Sequence, residues 1–117
     1  MCDTELAWAA GLFEGEGTIT AKRQRGRVYL RLAVTQNGGD EAREILRRFV
    51  RAVEWGAVLG PYDYSHKSLG KKPRWVVAIQ SDEGVRGVMK QLRPFLSPYS
   101  PKLAKYEALI QEKKEAA

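Results

Sequence analysis

Leu6-Ala7-Trp8-Ala9-Ala10-Gly11-Leu12-Phe13-Glu14-Gly15-Glu16-Gly17 passes from an apolar, small-residue run straight into an acid-glycine-acid-glycine ending. Thr4 or Asp3 is placed to cap a helix over 5–13, and Gly15 and Gly17 to end it. Carboxylates at a helix C-terminus face the negative end of the macrodipole, an arrangement unfavourable by about 0.3–1 kcal/mol. Glu14 and Glu16 both stand there, and a divalent cation would reverse the local electrostatics. Hard cations such as Mg²⁺ take oxygen ligands, usually one or two carboxylates with phosphate and water. Gly15 and Gly17 leave backbone carbonyls open to such a ligand. The plainer alternative is a core helix that ends in a glycine-rich turn with solvated glutamates.

Ala7, Ala10 and Gly11 fall at i, i+3 and i+4, so two such helices could approach closely. With one motif in the chain, the partner helix is expected from a second copy. A two-fold axis would then set two Glu16 carboxylates side by side, with Glu14 bracing the interface. Two carboxylates so placed repel, so cation binding should couple to assembly or to a polyanionic partner.

Downstream, residues 18–22 alternate, with Ile19 and Ala21 on one face and Thr18, Thr20 and Lys22 on the other. Residues 24–26 suggest a turn. Over 27–36, Val28, Leu30, Leu32 and Val34 face one way, and Arg27, Tyr29, Arg31, Ala33 and Thr35 the other. The pattern predicts a hairpin with an apolar underside and a basic, aromatic upper side. A helix starts after 37–40 and carries Ala42, Ile45, Leu46, Phe49, Val50 and Val53 at helical spacing. A second extended pair is predicted at 57–62 and 74–80, joined by a polar loop, with Trp75, Val77 and Ile79 on its apolar face. Ser81-Asp82-Glu83 opens another helix that stops at Pro94, and Ser100-Pro101 caps and opens a last one. The expected class is α+β: one domain over 1–117, an antiparallel curved sheet with helices on one face, and a frayed end at 113–117.

Apolar residues make up 44% of the 117, enough for one modest core. Twenty Lys and Arg against fourteen Asp and Glu give a net charge of +6 and favour a polyanionic partner. Nothing in the sequence suggests a membrane span or a secretory leader. Cys2 is the only cysteine, which points to an intracellular, reducing compartment: cytoplasm, nucleoid or organelle. His66 is the only histidine, so a zinc site built from several His and Cys ligands is excluded. Any hydrolytic chemistry must rest on carboxylates, backbone oxygens, lysines and a hard cation.

Ala9-Ala10-Gly11-Leu12-Phe13-Glu14-Gly15-Glu16-Gly17, with the following Thr18-Ile19, resembles the motif that names the LAGLIDADG homing endonucleases. The predicted αββαββα order extends the resemblance over roughly residues 5–112. It implies a homodimeric, Mg²⁺- or Mn²⁺-dependent endonuclease that cuts double-stranded DNA at a long pseudo-palindromic site. Glu16 and the Gly15 carbonyl would then be metal ligands. Gln36, within Val34-Thr35-Gln36, resembles the family's water-positioning residue. Pro94-Phe95-Leu96 followed by Lys102 resembles the region that supplies an active-site lysine, with Lys105 the other candidate. The family reads DNA with its sheet face, which here carries Thr20, Lys22, Arg27, Tyr29, Arg31, Arg74 and Gln80. Arg23, Lys67, Lys71 and Lys72 are expected as phosphate contacts, with Tyr62, Tyr64 and His66 able to join them. The rival on the same fold is a non-cleaving DNA-binding regulator or an intron-RNA maturase.

Overall fold

A computed structural model describes residues 2–62 and 72–116. Helix α1 (Asp3–Glu16) leads into β1 (Gly17–Gln24) and β2 (Arg27–Asn37), then α2 (Asp40–Val53), β3 (Val58–Tyr62) and β4 (Arg74–Ile79). Helix α3 (Asp82–Leu92), a 3-10 turn (Arg93–Phe95) and α4 (Pro101–Ala116) complete the order. The strands form an antiparallel sheet in the order β1-β2-β4-β3. It is the expected α+β arrangement.

Alternation decides which side of the sheet is covered. Val28, Leu30, Leu32 and Val34 of β2, Ile19 of β1 and Val77 and Ile79 of β4 are all buried. All but Val28 join Leu46 and Phe49 of α2, Val85 and Met89 of α3, and Leu103 and Leu109 of α4 in one core cluster. Between β1 and β2 the loop is only two residues, Arg25 and Gly26, with φ of 53° and 76°. Two left-handed residues give the twist that a tight hairpin needs.

Helix α1 departs from expectation at both ends. Its N-cap is Cys2, which makes no side-chain capping bond, while Asp3 and Thr4 lie inside the helix. Leu6 N–H donates to Cys2 O at 3.1 Å, so the first turn closes earlier than the sequence suggested. At the other end the helix runs through Gly15 to Glu16. Gly17 is extended (φ −84°), so its backbone does not require glycine. Space does: a Cβ there would overlap the Phe13 ring and lie 2.7 Å from Phe13 O.

The β1–β2 hairpin is longer than the strand beside it. Pairing of β2 with β4 spans Leu32 to Asn37, so residues 27–31 project past β4. Side chains close that free edge. Leu30 N–H donates to Asp82 Oδ1 at 2.9 Å, Val28 O accepts from Lys113 Nζ at 2.8 Å, and Lys113 pairs with Asp82. Helix α4 continues past Lys113 to Ala116, with Lys113 anchored on β2.

Candidate nucleic-acid interface and acidic helix end

The two glutamates at the end of α1 have different surroundings. Glu14 is half-buried, and its Oε2 accepts a 2.7 Å hydrogen bond from Ser100 Oγ. Ser100 is 3% exposed, and its Oγ also accepts from Leu103 N–H at 3.1 Å, as an N-cap of α4 should. Glu16 is exposed, as is Gly15 before it. Lys102 Nζ donates to Phe13 O at 3.1 Å and to Glu14 O at 2.6 Å, and lies 5.9 Å from the Phe13 ring centre. A cation is thus fixed at the negative end of the helix dipole, in the turn that carries Glu14 and Glu16. The family resemblance makes Lys102 a candidate active-site lysine; in the structure its ammonium binds main-chain carbonyls. Lys105 is exposed, one turn of α4 further on.

Gln36 lies at the same end of the sheet as Glu16. Gly17 pairs with Val34, so Glu16 precedes, and Gln36 follows, a matched pair of strand residues. Gln36 faces Trp75 across β2–β4 and shares the parity of Val34, which puts it on the helix-bearing side, half-buried.

Of the small residues, Ala7 and Gly11 are exposed, and a Cβ at Gly11 would meet no atom within 4 Å. Ala10, at 1% exposure, packs into the chain's own core with Leu6, Ala9 and Phe13, and it also borders the groove that Ala7 and Gly11 line. Because α1 is apolar around most of its circumference, spacing alone did not say which stripe packs inward. Ala7, Gly11 and Glu14 line a shallow groove of about 400 Å³ with Phe95 and Tyr99, and Tyr99 is 90% exposed.

On the open face of the sheet the register pairs Thr20 with Arg31, Lys22 with Tyr29, and Gln24 with Arg27, all exposed. The predicted stripe is therefore contiguous. Arg74 pairs with Asn37 and Tyr62, its guanidinium 5.9 Å from the Tyr62 ring centre, and Gln80 follows the last residue of β4, exposed. Lys72 is exposed; Lys67, Lys71, Tyr64 and His66 lie outside the described residues. Arg23 is exposed and has a partner within the chain. Both oxygens of Glu112 accept from it, so it ties β1 to α4 through a bidentate pair. Sequence reading missed Ser100 as a partner of Glu14, Glu112 as a partner of Arg23, and the Asp82–Lys113 clamp. Ser100 alone carried a signal, its position before Pro101, and that signal marked only the helix start.

Among the described residues no group of three or more His, Cys, Asp or Glu converges. No described helix is long and apolar enough to cross a membrane.

No protein-family model and no curated protein matches the sequence. Solved structures do match it. The homing endonuclease I-CvuI in complex with its target superposes with a TM-score of 0.67 at 18% identity, over 96% of this chain and 69% of that one. The intron-encoded homing endonuclease I-CeuI complexed with DNA gives 0.65 at 15%, covering 98% of this chain and 55% of that one. The LAGLIDADG meganuclease I-CpaMI bound to uncleaved DNA gives 0.65 at 17%, covering 96% and 38%. The fold is that of the LAGLIDADG homing endonucleases.

Proposed function

We propose that this chain is a LAGLIDADG-family, site-specific endonuclease of double-stranded DNA that works as a homodimer. One juxtaposition carries the reading. An exposed Glu16 ends a helix whose outer stripe is Ala7 and Gly11, and that helix feeds directly into a strand pair whose open face presents Lys22, Arg27, Tyr29 and Arg31. The relatives in fold are DNA-bound endonucleases, which makes duplex DNA the natural partner of that face.

The donor set fits a hard divalent ion. Glu16 carboxylate and the Gly15 carbonyl would hold Mg²⁺ or Mn²⁺, and two protein oxygens leave positions for phosphate and water. Such an ion supplies Lewis-acid stabilisation of charge at the phosphate. The chain's own residues do the rest. Arg27, Tyr29 and Arg31 orient the duplex from the major groove, where Arg can make two bonds to guanine. Gln36, at the same end of the sheet, orders water beside Glu16. Lys102 and Ser100 hold α1's last turn in place, so Lys102 acts as a positioning residue. Ala7 and Gly11 admit the second α1, with Phe95 and Tyr99 flanking it.

Selection of cleavage sites from a randomised duplex library with Mg²⁺ tests activity and target symmetry together. The expected result is a metal-dependent double-strand cut in a pseudo-palindrome, with Glu16→Gln binding the selected site but no longer cutting it. Cleavage by Glu16→Gln at the wild-type rate would end this mechanism. Tight binding to DNA or RNA with no cleavage by the wild-type chain would instead identify a regulator or maturase.

A further inference from the structure

The helical side of the molecule carries a second cationic feature. Arg43, Arg47 and Arg51 of α2 line one groove of about 760 Å³ together with Trp75 and residues of β3. A spacing of four puts the three in one row, each step rising about 6 Å, so the row spans about 12 Å. That is about the axial rise of three to four nucleotides along one strand of a duplex. Arg43 stands 5.6 Å from the centre of the Trp75 ring, and Trp75 Nε1 donates to Gly38 O at 3.0 Å, which fixes the groove's aromatic wall.

The acidic groups nearby are weak competitors. Glu44 pairs with Arg47 at 3.0 Å, but both side chains are about half exposed, 56% and 44%. A pair so solvated contributes little and yields readily to phosphate. Glu5, on α1, is engaged through both oxygens by Arg48. Helix α2 packs on the side of the sheet opposite Thr20, Tyr29 and Arg31, so a strand in this groove is not the stretch lying on the open face.

We propose that the Arg43–Arg47–Arg51 groove is a second nucleic-acid site that holds a phosphodiester backbone without reading sequence. Guanidinium forks match phosphate oxygens in geometry and charge, and a row of three neutralises up to three phosphates. The inference shares the nucleic-acid partner of the proposed function but not its cleavage chemistry. Two sources offer the same chemistry: the flank of the bound duplex, turned around the β3 edge, or a separate single strand.

Salt titration of binding by the full chain distinguishes them, with a long non-specific DNA duplex and a single-stranded RNA oligonucleotide as probes. In Arg43→Gln/Arg47→Gln/Arg51→Gln the slope of log K against log salt is expected to fall by about 2–3 on duplex, at about 0.9 per phosphate lost, or by about 2 on RNA. A fall on duplex identifies the flank, and a fall on RNA alone identifies a separate strand. Wild-type slopes on both probes overturn the proposal. Should the triple variant melt differently from wild type, Arg47→Gln alone, on an exposed position, carries the same test with a fall of about 0.7–0.9. Arg27→Gln/Arg31→Gln is run in parallel. If it weakens duplex binding while the α2 variants keep wild-type slopes on both probes, the sheet-face reading stands and the groove fails. The opposite pattern sinks the sheet-face reading and keeps the groove.

Discussion

Ser100 Oγ donates a 2.7 Å hydrogen bond to Glu14 Oε2, joining the first turn of α4 to the last turn of α1. The same oxygen accepts from Leu103 N–H, so one buried hydroxyl caps one helix and anchors the end of another. This separates the two motif acids: Glu14 is held inside the chain and Glu16 is left free to take a ligand.

Ser100→Ala removes the cap and leaves the half-buried Glu14 carboxylate without that donor. A cap of this type contributes about 0.5–2 kcal/mol, so thermal melting of the variant is expected to shift down accordingly. Cleavage should need more Mg²⁺ for half-maximal rate, because Glu14 then competes with Glu16 for the ion. An unchanged metal dependence alongside a lowered melting point would reduce Ser100 to a purely structural cap.

Lys102→Met keeps most of the side-chain volume and removes the two bonds to Phe13 O and Glu14 O. Hydrogen bonds from a charged donor contribute about 1.5–3 kcal/mol, and fraying of the last turn of α1 should appear as faster amide exchange near Glu14 and Glu16. If Lys102 instead acts on phosphate alone, exchange at α1 will match wild type while cleavage is lost.

Gly11 and Gly17 should respond in opposite ways to a side chain. Gly17→Ala forces a methyl into Phe13, and overpacking of this kind costs about 1–3 kcal/mol, read as a lower melting point. Gly11→Leu adds its side chain to open space on the helix surface and leaves the monomer as stable or more so. Its expected effect is on association, seen by sedimentation as a shift from dimer to monomer. Wild-type dimerisation by Gly11→Leu would remove α1 from the interface.

The hairpin clamp predicts a pH dependence. Burial opposes ionisation of Asp82, but Lys113 and the Leu30 N–H outweigh it and hold the carboxyl below its ordinary value. A depressed folded-state pKa means the stabilisation is complete above the unfolded value, about 3.9 for Asp, and is lost as pH falls through the lower folded one. Asp82→Asn should therefore melt lower than wild type near neutrality, by the equivalent of about 1 kcal/mol, and converge with it in strong acid. A constant gap from neutral to acid pH would mean the charge of Asp82 is irrelevant.

Much of this architecture was legible in the sequence because its elements are amphipathic. Alternation in β2 put Val28, Leu30, Leu32 and Val34 inside without error. Helix α1 was harder: every residue from Leu6 to Phe13 is small or apolar, so the buried stripe of Leu6, Ala9, Ala10 and Phe13 and the exposed one of Ala7 and Gly11 look alike on paper. Gly15 was expected to stop the helix and does not, because Lys102 satisfies carbonyls of the last turn and Gly17 N–H bonds to Phe13 O. Both Lys102 and Ser100 lie more than eighty residues from their partners in α1, a distance no local rule spans. For the same reason the pairing of Arg23 with Glu112 could not be foreseen.

Helix α4 is anchored at both ends, on the acid-bearing turn by Ser100 and Lys102 and on the long hairpin by Glu112 and Lys113. Its sixteen residues, about 24 Å of helix, make it a molecular ruler between the acidic turn and the hairpin. Lengthening that ruler by one turn would move the ribbon by about 5.4 Å, between one and two base steps of duplex. Under the proposed function, α4 would be the gauge that sets where Glu16 sits relative to the bases the hairpin meets.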